Sequence, residues 1–224
     1  MKGFIKADFH VHSIASPDSL SKGEELLARA KKLGLGKLII TDHNSIRTAV
    51  EMNKKYPDFV IVGEEILTTG GEILALFVKE ELPKGIKPLE AFKRLRDQGA
   101  FISLSHPYAA MRHGWTEAEM EEYLPWLDAI EISNARNLPW MNRAAADFAA
   151  VHGLCGTAGS DAHGVRELGA MGLELPDFHS ADELRSALRS AAVFGRESSP
   201  LVRFYSRSAV LVKTVRRTLR MPDV

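Results

Sequence analysis

The sequence is poor in cysteine, with Cys155 as the single thiol among 224 residues. One cysteine excludes an internal disulfide and is typical of a protein from a reducing compartment. Long apolar runs are also missing: no stretch of 18 or more apolar residues occurs, so a transmembrane helix is not predicted. Charged residues interrupt the first eight positions, which argues against a signal peptide. These absences indicate a cytoplasmic protein without a membrane partner.

An excess of charge is missing as well, because 29 basic residues balance 29 acidic ones. The distribution is uneven: residues 201–224 contain six basic residues and one acidic residue, a net charge of +5. The preceding 200 residues therefore carry −5, which suits a site that binds cations. We predict a main domain, residues 1–200, and a basic tail, residues 201–224, of strand or helix packed on it. In the tail, Leu211, Val215 and Leu219 share one helical stripe that we expect to pack on the domain.

Short apolar runs alternate with amphipathic, helix-like segments along the main domain. Helix-like segments stand between most of the runs, and two of them end at Gly34 and Gly99. This alternation predicts an α/β fold with a parallel sheet, either open or closed into a barrel. The runs with the length and composition of strands are residues 4–9, 37–41, 59–62, 73–78, 100–104, 129–132 and 154–157.

Five of the eight histidines lie in short motifs with acidic residues next to these runs. The first motif is Asp8-Phe9-His10-Val11-His12. Side chains alternate between the two faces of a strand, so His10 and His12 point to the same side, as two imidazoles that share a metal ion would. Asp18 follows a Ser-Pro turn that is able to bring its carboxylate back toward the strand end.

Further histidines and acids border other strand-like runs. Asp161 and His163 again have the spacing of two, and flanking glycines allow close approach of the backbone to a ligand. If the strands form a barrel, these residues converge at its carboxyl end, where active sites lie. Imidazole and carboxylate ligands without cysteine suit Zn, Mn or Fe. The residues in question are His43, Glu65, Glu72, His106, Asp161 and His163.

Taken in order, these motifs resemble the PHP (polymerase and histidinol phosphatase) family. The matching motifs are Asp-x-His-x-His, Thr-Asp-His, Gly-x-Glu-Ile, Ser-His-Pro and Gly-Ser-Asp-x-His, which span residues 8–164. The resemblance implies a distorted seven-stranded (β/α)7 barrel, related to the TIM barrel, with two or three divalent metal ions. It also implies phosphoesterase activity of the histidinol phosphatase type.

Carried over by position, the resemblance assigns each ligand to a metal ion. His10, His12, Glu65 and Asp161 would hold the first ion. Glu65 would bridge to a second ion, shared with His106, and a third would be held by the remaining ligands. Glu72 stands where many family members have a histidine ligand of the second ion. A carboxylate can also bind the second ion, and this exchange does not decide whether the metal is Zn, Mn or Fe. The ligands of the third ion would be Asp18, His43 and His163.

The expected chemistry is attack on phosphorus by a hydroxide held between the metal ions, with Asp161 and His163 at the catalytic centre. No side-chain nucleophile is expected. Arg136 and Asn137 follow a strand-like run and are candidates to bind the substrate phosphate, and Arg196 is a further candidate.

Three other functions stay open at this level. A phosphodiesterase or exonuclease would use the same metal ions, although the neutral net charge lacks the basic field of nucleic-acid enzymes. An amidohydrolase would cleave C–N bonds, but its usual carbamylated lysine has no counterpart here. A non-catalytic metal-binding module is the third alternative. We therefore expect a small phosphorylated substrate rather than nucleic acid, and the sequence leaves the oligomeric state open.

Overall fold

The computed structural model describes residues 3–199 and 201–219. The strands of the described part are β1 (Phe4–Val11), β2 (Lys37–Ile40), β3 (Val60–Leu67), β4 (Glu72–Leu76), β5 (Phe101–Leu104), β6 (Ala129–Asn134), β7 (Cys155–Gly159), β8 (Met171–Pro176) and β9 (Ala192–Gly195). The α-helices are α1 (Gly23–Lys32), α2 (Arg47–Lys55), α3 (Pro88–Gln98), α4 (Glu117–Tyr123), α5 (Pro139–His152), α6 (Ala181–Ala187) and α7 (Val202–Thr218).

The strands form one sheet in the order β7-β6-β5-β4-β3-β2-β1-β8-β9. Four neighbouring pairs are parallel and four are antiparallel, so the expectation of a parallel sheet is only partly right. The antiparallel pair β3–β4 has a physical reason. Only residues 68–71 connect these strands, and a parallel crossover needs a dozen residues or more.

The sheet curves until its far edge approaches β1. Just beyond β7, Ala162 pairs with Val11 in a parallel bridge, and the backbone N–H of His12 donates to the carbonyl of Ala162 over 2.8 Å. This mixed α/β fold with a nearly closed, barrel-like sheet confirms the predicted fold class.

The number of strands is a correction, since the first seven were predicted and β8 and β9 were not. Gly172 and Glu174 interrupt the apolar pattern of β8, and most residues of the short β9 are exposed, so neither strand has a strong sequence signal.

The helices lie outside the sheet and bury one face each. Leu26 and Leu27 of α1 pack with Leu38 and Ile40 of β2, and Phe92 and Leu95 of α3 lie in the core beside β4 and β5. Among the helices of the described residues, none combines the length and apolarity needed to cross a bilayer. The layers therefore form a packed barrel whose polar residues collect at one end.

The basic tail forms helix α7, which contacts the barrel through its small and polar face. Ala209 is fully buried, and the Lys213 ammonium donates to the carbonyl of Ile14 over 2.6 Å and to that of Ser16. The stripe expected to pack on the domain is exposed instead: Leu211 is 64% exposed, Val215 46% and Leu219 63%. Of the basic tail predicted above, residues 220–224 lie outside the described residues.

Candidate metal centre

His10 and His12 meet at the carboxyl end of β1, as the alternation of the strand predicts. Both side chains are fully buried, and their Nε2 atoms are 3.0 Å apart. Glu65 Oε1 lies 3.2 Å from the Nε2 of His10, and Asp161 Oδ1 lies 3.4 Å from that of His12. The four side chains predicted to hold a first ion therefore converge.

Alternation along β3 separates two adjacent glutamates. Glu65 points into the centre, whereas the carboxylate of Glu64 accepts the backbone N–H of Leu82 over 3.3 Å on the other side of the sheet. Asp161 follows β7 with a left-handed backbone, φ +53°. Aspartate tolerates that conformation better than most residues do, and here it turns the carboxylate toward the histidines.

A second group of ligand atoms adjoins the first across Glu65. His106 Nε2 lies 3.0 Å from Glu65 Oε1 and 3.4 Å from Glu72 Oε2. His43 Nδ1 lies 3.0 Å from Glu65 Oε2 and 3.7 Å from Glu72 Oε1. Glu65 thus stands between two groups, as the bridging position requires, and Glu72 occupies the place predicted for it.

A third group opens toward solvent. His163 Nε2 lies 2.9 Å from Asp18 Oδ2, and His43 Nε2 lies 3.6 Å from the same oxygen. His12, His43 and His163 also offer nitrogen atoms that all lie within 4.8 Å of one another. The structure therefore brings together all nine residues predicted as ligands, and it places His43 beside both the second and the third group.

Several oxygen atoms in this centre are buried without a hydrogen bond in the described structure: Asp18 Oδ1, Glu65 Oε2 and Asp161 Oδ1. Such atoms are costly in a protein interior unless a cation or another donor engages them. Each lies on a carboxylate that faces imidazole nitrogen atoms. The donor set of imidazoles and carboxylates fits divalent ions such as Zn, Mn or Fe.

Electrostatics at the centre reflect this crowding of ionisable groups. Burial lowers the pKa of His10, but the carboxylates of Glu65, Asp161 and Glu131 outweigh it and hold that pKa well above its usual range. Burial, with His163 and His43 beside it, lowers the pKa of His12. Burial and the charge of Glu65 raise the pKa of Glu72 to about 8. Bound cations would relieve the repulsion between Glu65 and Glu72.

Glu131, within β6, and Asn134, at its end, contact the candidate ligands and orient them. His10 Nδ1 donates to Glu131 Oε1 over 3.0 Å, and the His106 backbone N–H donates to Glu131 Oε2 over 2.8 Å. Asn134 Nδ2 donates to Glu131 and to Asp161, each over 3.0 Å. These bonds leave the Nε2 atom of His10 directed at the centre.

The other two aspartates of the motifs tie the loops together and do not face the centre. Asp8 accepts hydrogen bonds from Ser160 and from the backbone N–H of Gly169. Asp42 accepts from the backbone and hydroxyl of Ser13 and from the hydroxyl of Ser16. These bonds fix neighbouring loops at the end of the barrel.

A cavity of about 490 Å³ lies over the third group, a volume that suits a small-molecule ligand. Asp18, His43, Glu72 and His163 line one part of it. Arg112 lines it as well, and its NH2 atom forms an ion pair with Asp161. Sequence reasoning missed Arg112. The available signal was its place in the loop after β5, at the end of the barrel where active-site loops lie.

Of the residues predicted to bind substrate, the structure places one in this cavity. Arg136 lines it, but its guanidinium is buried and forms an ion pair with Glu167 over 2.8 Å. Asn137 lies in a separate cavity and donates to Asn142 over 3.1 Å. Arg196 is exposed and is not among the residues that line the cavity. Of these two neighbours in the loop after β6, Arg136 therefore lines the cavity over the metal centre and Asn137 does not.

The fold and the buried ligand set define an α/β barrel with a candidate metal centre at one end. The model of the PHP domain matches residues 8–93, and the PHP-associated model matches residues 139–193. Two uncharacterized proteins of Methanocaldococcus jannaschii are similar. MJ1587 is 36% identical over 144 residues, 58% of this chain and 82% of the relative. MJ0417 is 34% identical over 200 residues, 83% of this chain and 79% of the relative.

The chain belongs to the PHP domain family, which confirms the family predicted from its motifs. Membership of this family supports metal-dependent hydrolase activity.

Three solved structures share the fold at low sequence identity. PsfC from Pseudomonas syringae superposes with a TM-score of 0.70 at 16% identity, over 95% of this chain and 99% of that one. A Bifidobacterium adolescentis protein assigned to the metal-dependent phosphoesterases superposes with a TM-score of 0.62 at 17% identity, over 82% of this chain and 95% of that one. An amidohydrolase from Chromobacterium violaceum, solved with sulfate and without metal, superposes with a TM-score of 0.58 at 15% identity, over 70% of this chain and 87% of that one.

Proposed function

We propose that this chain hydrolyses a phosphomonoester of a small molecule or nucleotide with the help of two or three divalent metal ions. The observation that carries the proposal is the convergence of nine imidazole and carboxylate ligands beside one open cavity. When bound, such ions supply positive charge that neutralises phosphate oxygens and lowers the pKa of water toward neutrality. The chain's own residues then supply the geometry.

The ligands fall into three groups that share members. His10, His12 and Asp161 would hold one ion with Glu65, and Glu65 would be shared with a second ion. The groups adjoin, since Glu65 Oε1 lies 3.2 Å from His10 and 3.0 Å from His106, and Glu65 Oε2 lies 3.0 Å from His43. The second ion would be held by Glu65, Glu72 and His106, and the third by Asp18, His43 and His163.

The chain's contribution to the reaction is to orient these ligands. Glu131 fixes the ring of His10, and the backbone carbonyl of Asp161 accepts a hydrogen bond from His163 Nδ1 over 2.9 Å. Cys155 opens β7 at the opposite end of that strand, so its thiol is remote from the ligands. His163 lines the cavity, and its Nδ1 atom lies 3.4 Å from the buried carboxylate of Asp161; this contact supports the proposal that both residues belong to the catalytic centre.

The structure bears on one competing function through Lys37. An amidohydrolase with a carbamylated lysine needs that lysine among the ligands. Lys37 is a buried lysine, but it begins β2 at the end away from His43 and pairs with Asp177 over 3.1 Å. It is therefore out of reach of the metal centre. Hydrolysis of phosphodiesters or nucleic acid would use the same metal ligands, so only an activity assay distinguishes it from hydrolysis of monoesters.

The experiment is phosphate release from an aryl phosphate and a panel of phosphomonoesters. Stripped protein is reloaded with Mn, Zn, Fe or Mg, and bound metal is counted. His10→Ala removes a buried ligand, and His179→Ala is the matched control because His179 is half-exposed and follows β8, whose last residue pairs with the start of β1 and not with its ligand end. We expect His10→Ala to lower turnover by more than about 100-fold, beyond the effect of losing an outer contact. His179→Ala should keep wild-type turnover.

The proposal fails if loaded wild-type protein binds two or three ions and releases no phosphate from the panel. Diesters, including short oligonucleotides, are assayed in parallel. Turnover of diesters alone would replace the monoesterase with a phosphodiesterase. Ion binding without turnover on either class would identify a non-catalytic module.

A further inference from the structure

Arg112 brings unused hydrogen-bond donors to the metal centre. It ends a short 3-10 helix, Ala110–Arg112, in the loop after β5. Its NH2 atom pairs with the Asp161 carboxylate, while its buried NH1 atom has no hydrogen-bond partner in the described structure. The side chain is 27% exposed and lines the cavity. One arm of the guanidinium is thus held by a ligand carboxylate, and the other arm carries a donor atom without a partner.

The loop that carries Arg112 is held in a conformation that most sequences avoid. His106, Tyr108 and His113 all have positive φ, at +23°, +68° and +54°. A Cβ on Gly114 would lie 2.7 Å from the backbone nitrogen of Ala109, so the turn requires glycine. Backbone strain of this kind persists only where surrounding contacts enforce it, and it is concentrated at functional sites.

Two hydrogen bonds tie this loop to the strand that supplies Glu72. The Glu72 backbone N–H donates to the carbonyl of His113 over 2.9 Å. The indole N–H of Trp115 donates to the Glu72 carbonyl over 2.7 Å, and Trp115 is buried. The position of Arg112 is therefore fixed relative to a ligand of the second ion.

Charge gives the reason for an arginine at this place. Asp18, Glu65, Glu72 and Asp161 surround the centre with carboxylates, and a phosphate dianion must approach them. Arg112 supplies a permanent positive charge in direct contact with this group. The planar guanidinium also matches the spacing of phosphoryl oxygens.

We propose that Arg112 binds the phosphoryl group of the substrate, with NH1 donating to a non-bridging oxygen while NH2 stays on Asp161. This inference rests on the proposed function and narrows it to the terminal phosphoryl group of a phosphomonoester. Such a group carries two charges and three non-bridging oxygens, whereas a diester carries one charge and two. A cationic NH1 donor beside the metal ions favours the monoester, because its phosphoryl group has more charge and more acceptor oxygens.

The test uses inorganic phosphate as the probe and does not depend on turnover. Phosphate binding to the Mn-loaded full chain is measured by calorimetry for wild type, Arg112→Met and Arg112→Lys. Arg94→Met is the matched control, because Arg94 is an exposed arginine of α3 that pairs with Glu90. We expect Arg112→Met to weaken phosphate binding about 100-fold, and Arg112→Lys to weaken it about 10-fold. Arg94→Met should bind like the wild type, and bound Mn should be equal in all four proteins.

Equal phosphate affinity in wild type and Arg112→Met would overturn the assignment, and so would wild-type protein that binds no phosphate. Loss of Mn in step with loss of phosphate would also overturn it, because Arg112 would then only support Asp161. Thermal unfolding checks that the variants fold, and if Arg112→Met does not, Arg112→Lys decides. Wild type that binds phosphate through Arg112 yet hydrolyses no monoester would refute the proposed function and keep the assignment of Arg112.

Discussion

Glu131 offers a test of how the protein orients its metal ligands. Its two carboxylate oxygens accept three hydrogen bonds, from His10 Nδ1, from the His106 backbone and from Asn134 Nδ2. Glu131→Gln keeps the shape but offers one acceptor oxygen and an amide group that donates. At least one donor is then left without an acceptor, and the ring of His10 loses the partner that directs Nε2 toward the centre.

The size of the effect follows from the position of Glu131. Loss of an outer contact to a metal-binding histidine lowers metal affinity about 10- to 100-fold, or roughly 1.4 to 2.7 kcal/mol. At saturating metal the free energy of unfolding of the loaded protein should fall by the same amount, because stabilisation follows the ratio of ion concentration to Kd. In chelator, the free energy of unfolding of the variant should stay within about 1 kcal/mol of the wild type. The variant loses a hydrogen bond, but it also removes one negative charge from a cluster of carboxylates, and the two effects offset each other.

Denaturant unfolding in chelator and in excess Mn, for wild type and Glu131→Gln, measures both quantities. Glu174→Gln serves as the control because Glu174 is an exposed residue of β8. Equal stabilisation by Mn in wild type and Glu131→Gln would refute the orienting role. A large loss of stability in chelator with unchanged stabilisation by Mn would show that Glu131 serves folding alone.

Two further predictions concern the structure around the centre. In Gly71→Ala, the new Cβ would lie 2.5 Å from the indole of Trp115, so overpacking should lower the free energy of unfolding by about 1–3 kcal/mol in urea. Asp177→Asn should lower it by about 1 kcal/mol at pH 7. Burial raises the pKa of Asp177, but its bond to Lys37 outweighs this and holds the pKa below its usual value. The contribution is therefore present above about pH 4 and is lost as the pH falls through the lowered pKa.

Controls for these two variants come from exposed positions. Gly3→Ala should be neutral because a Cβ there has no neighbour within 4 Å in the described structure. Asp58→Asn should leave the free energy of unfolding unchanged at pH 3 and at pH 7, because the Asp58 side chain is exposed. A loss for Asp177→Asn that stays the same at pH 3 and pH 7 would contradict the assigned role of the ion pair.

The first seven strands could be predicted because each forms a short apolar run of its own. Their directions could not, since an apolar run such as 73–78 looks the same in a parallel and an antiparallel strand. The predicted runs 59–62 and 73–78 leave ten residues between them. In the structure β3 continues to Leu67, so only Thr68-Thr69-Gly70-Gly71 join it to β4, and so short a link permits only an antiparallel pair. β8 was missed because Gly172 and Glu174 break its apolar pattern.

The nine candidate ligands could be predicted for a different reason. Eight of them lie within four residues of a strand end, and the closure of the sheet brings those ends together. Asp18 is the exception, because it reaches the centre through the loop after β1. His10 and His12 needed only the alternation of one strand. The role of Glu65 as the shared carboxylate depends on the same rule, since Glu64 faces the other side of β3.

The positions of the two arginines that line the cavity, Arg112 and Arg136, could not be predicted in the same way. Arg136 follows the end of β6 by two residues and Arg112 follows the end of β5 by eight, so sequence position favours Arg136. Glu167, 31 residues further along the chain, binds the guanidinium of Arg136. Three left-handed residues and the bond from Trp115 to Glu72 bring Arg112 over the centre. Such contacts arise from the path of loops and from partners distant in sequence. Most candidate metal ligands are therefore predictable from strand ends in this barrel, whereas the residue proposed to contact the substrate is positioned by the loop after β5.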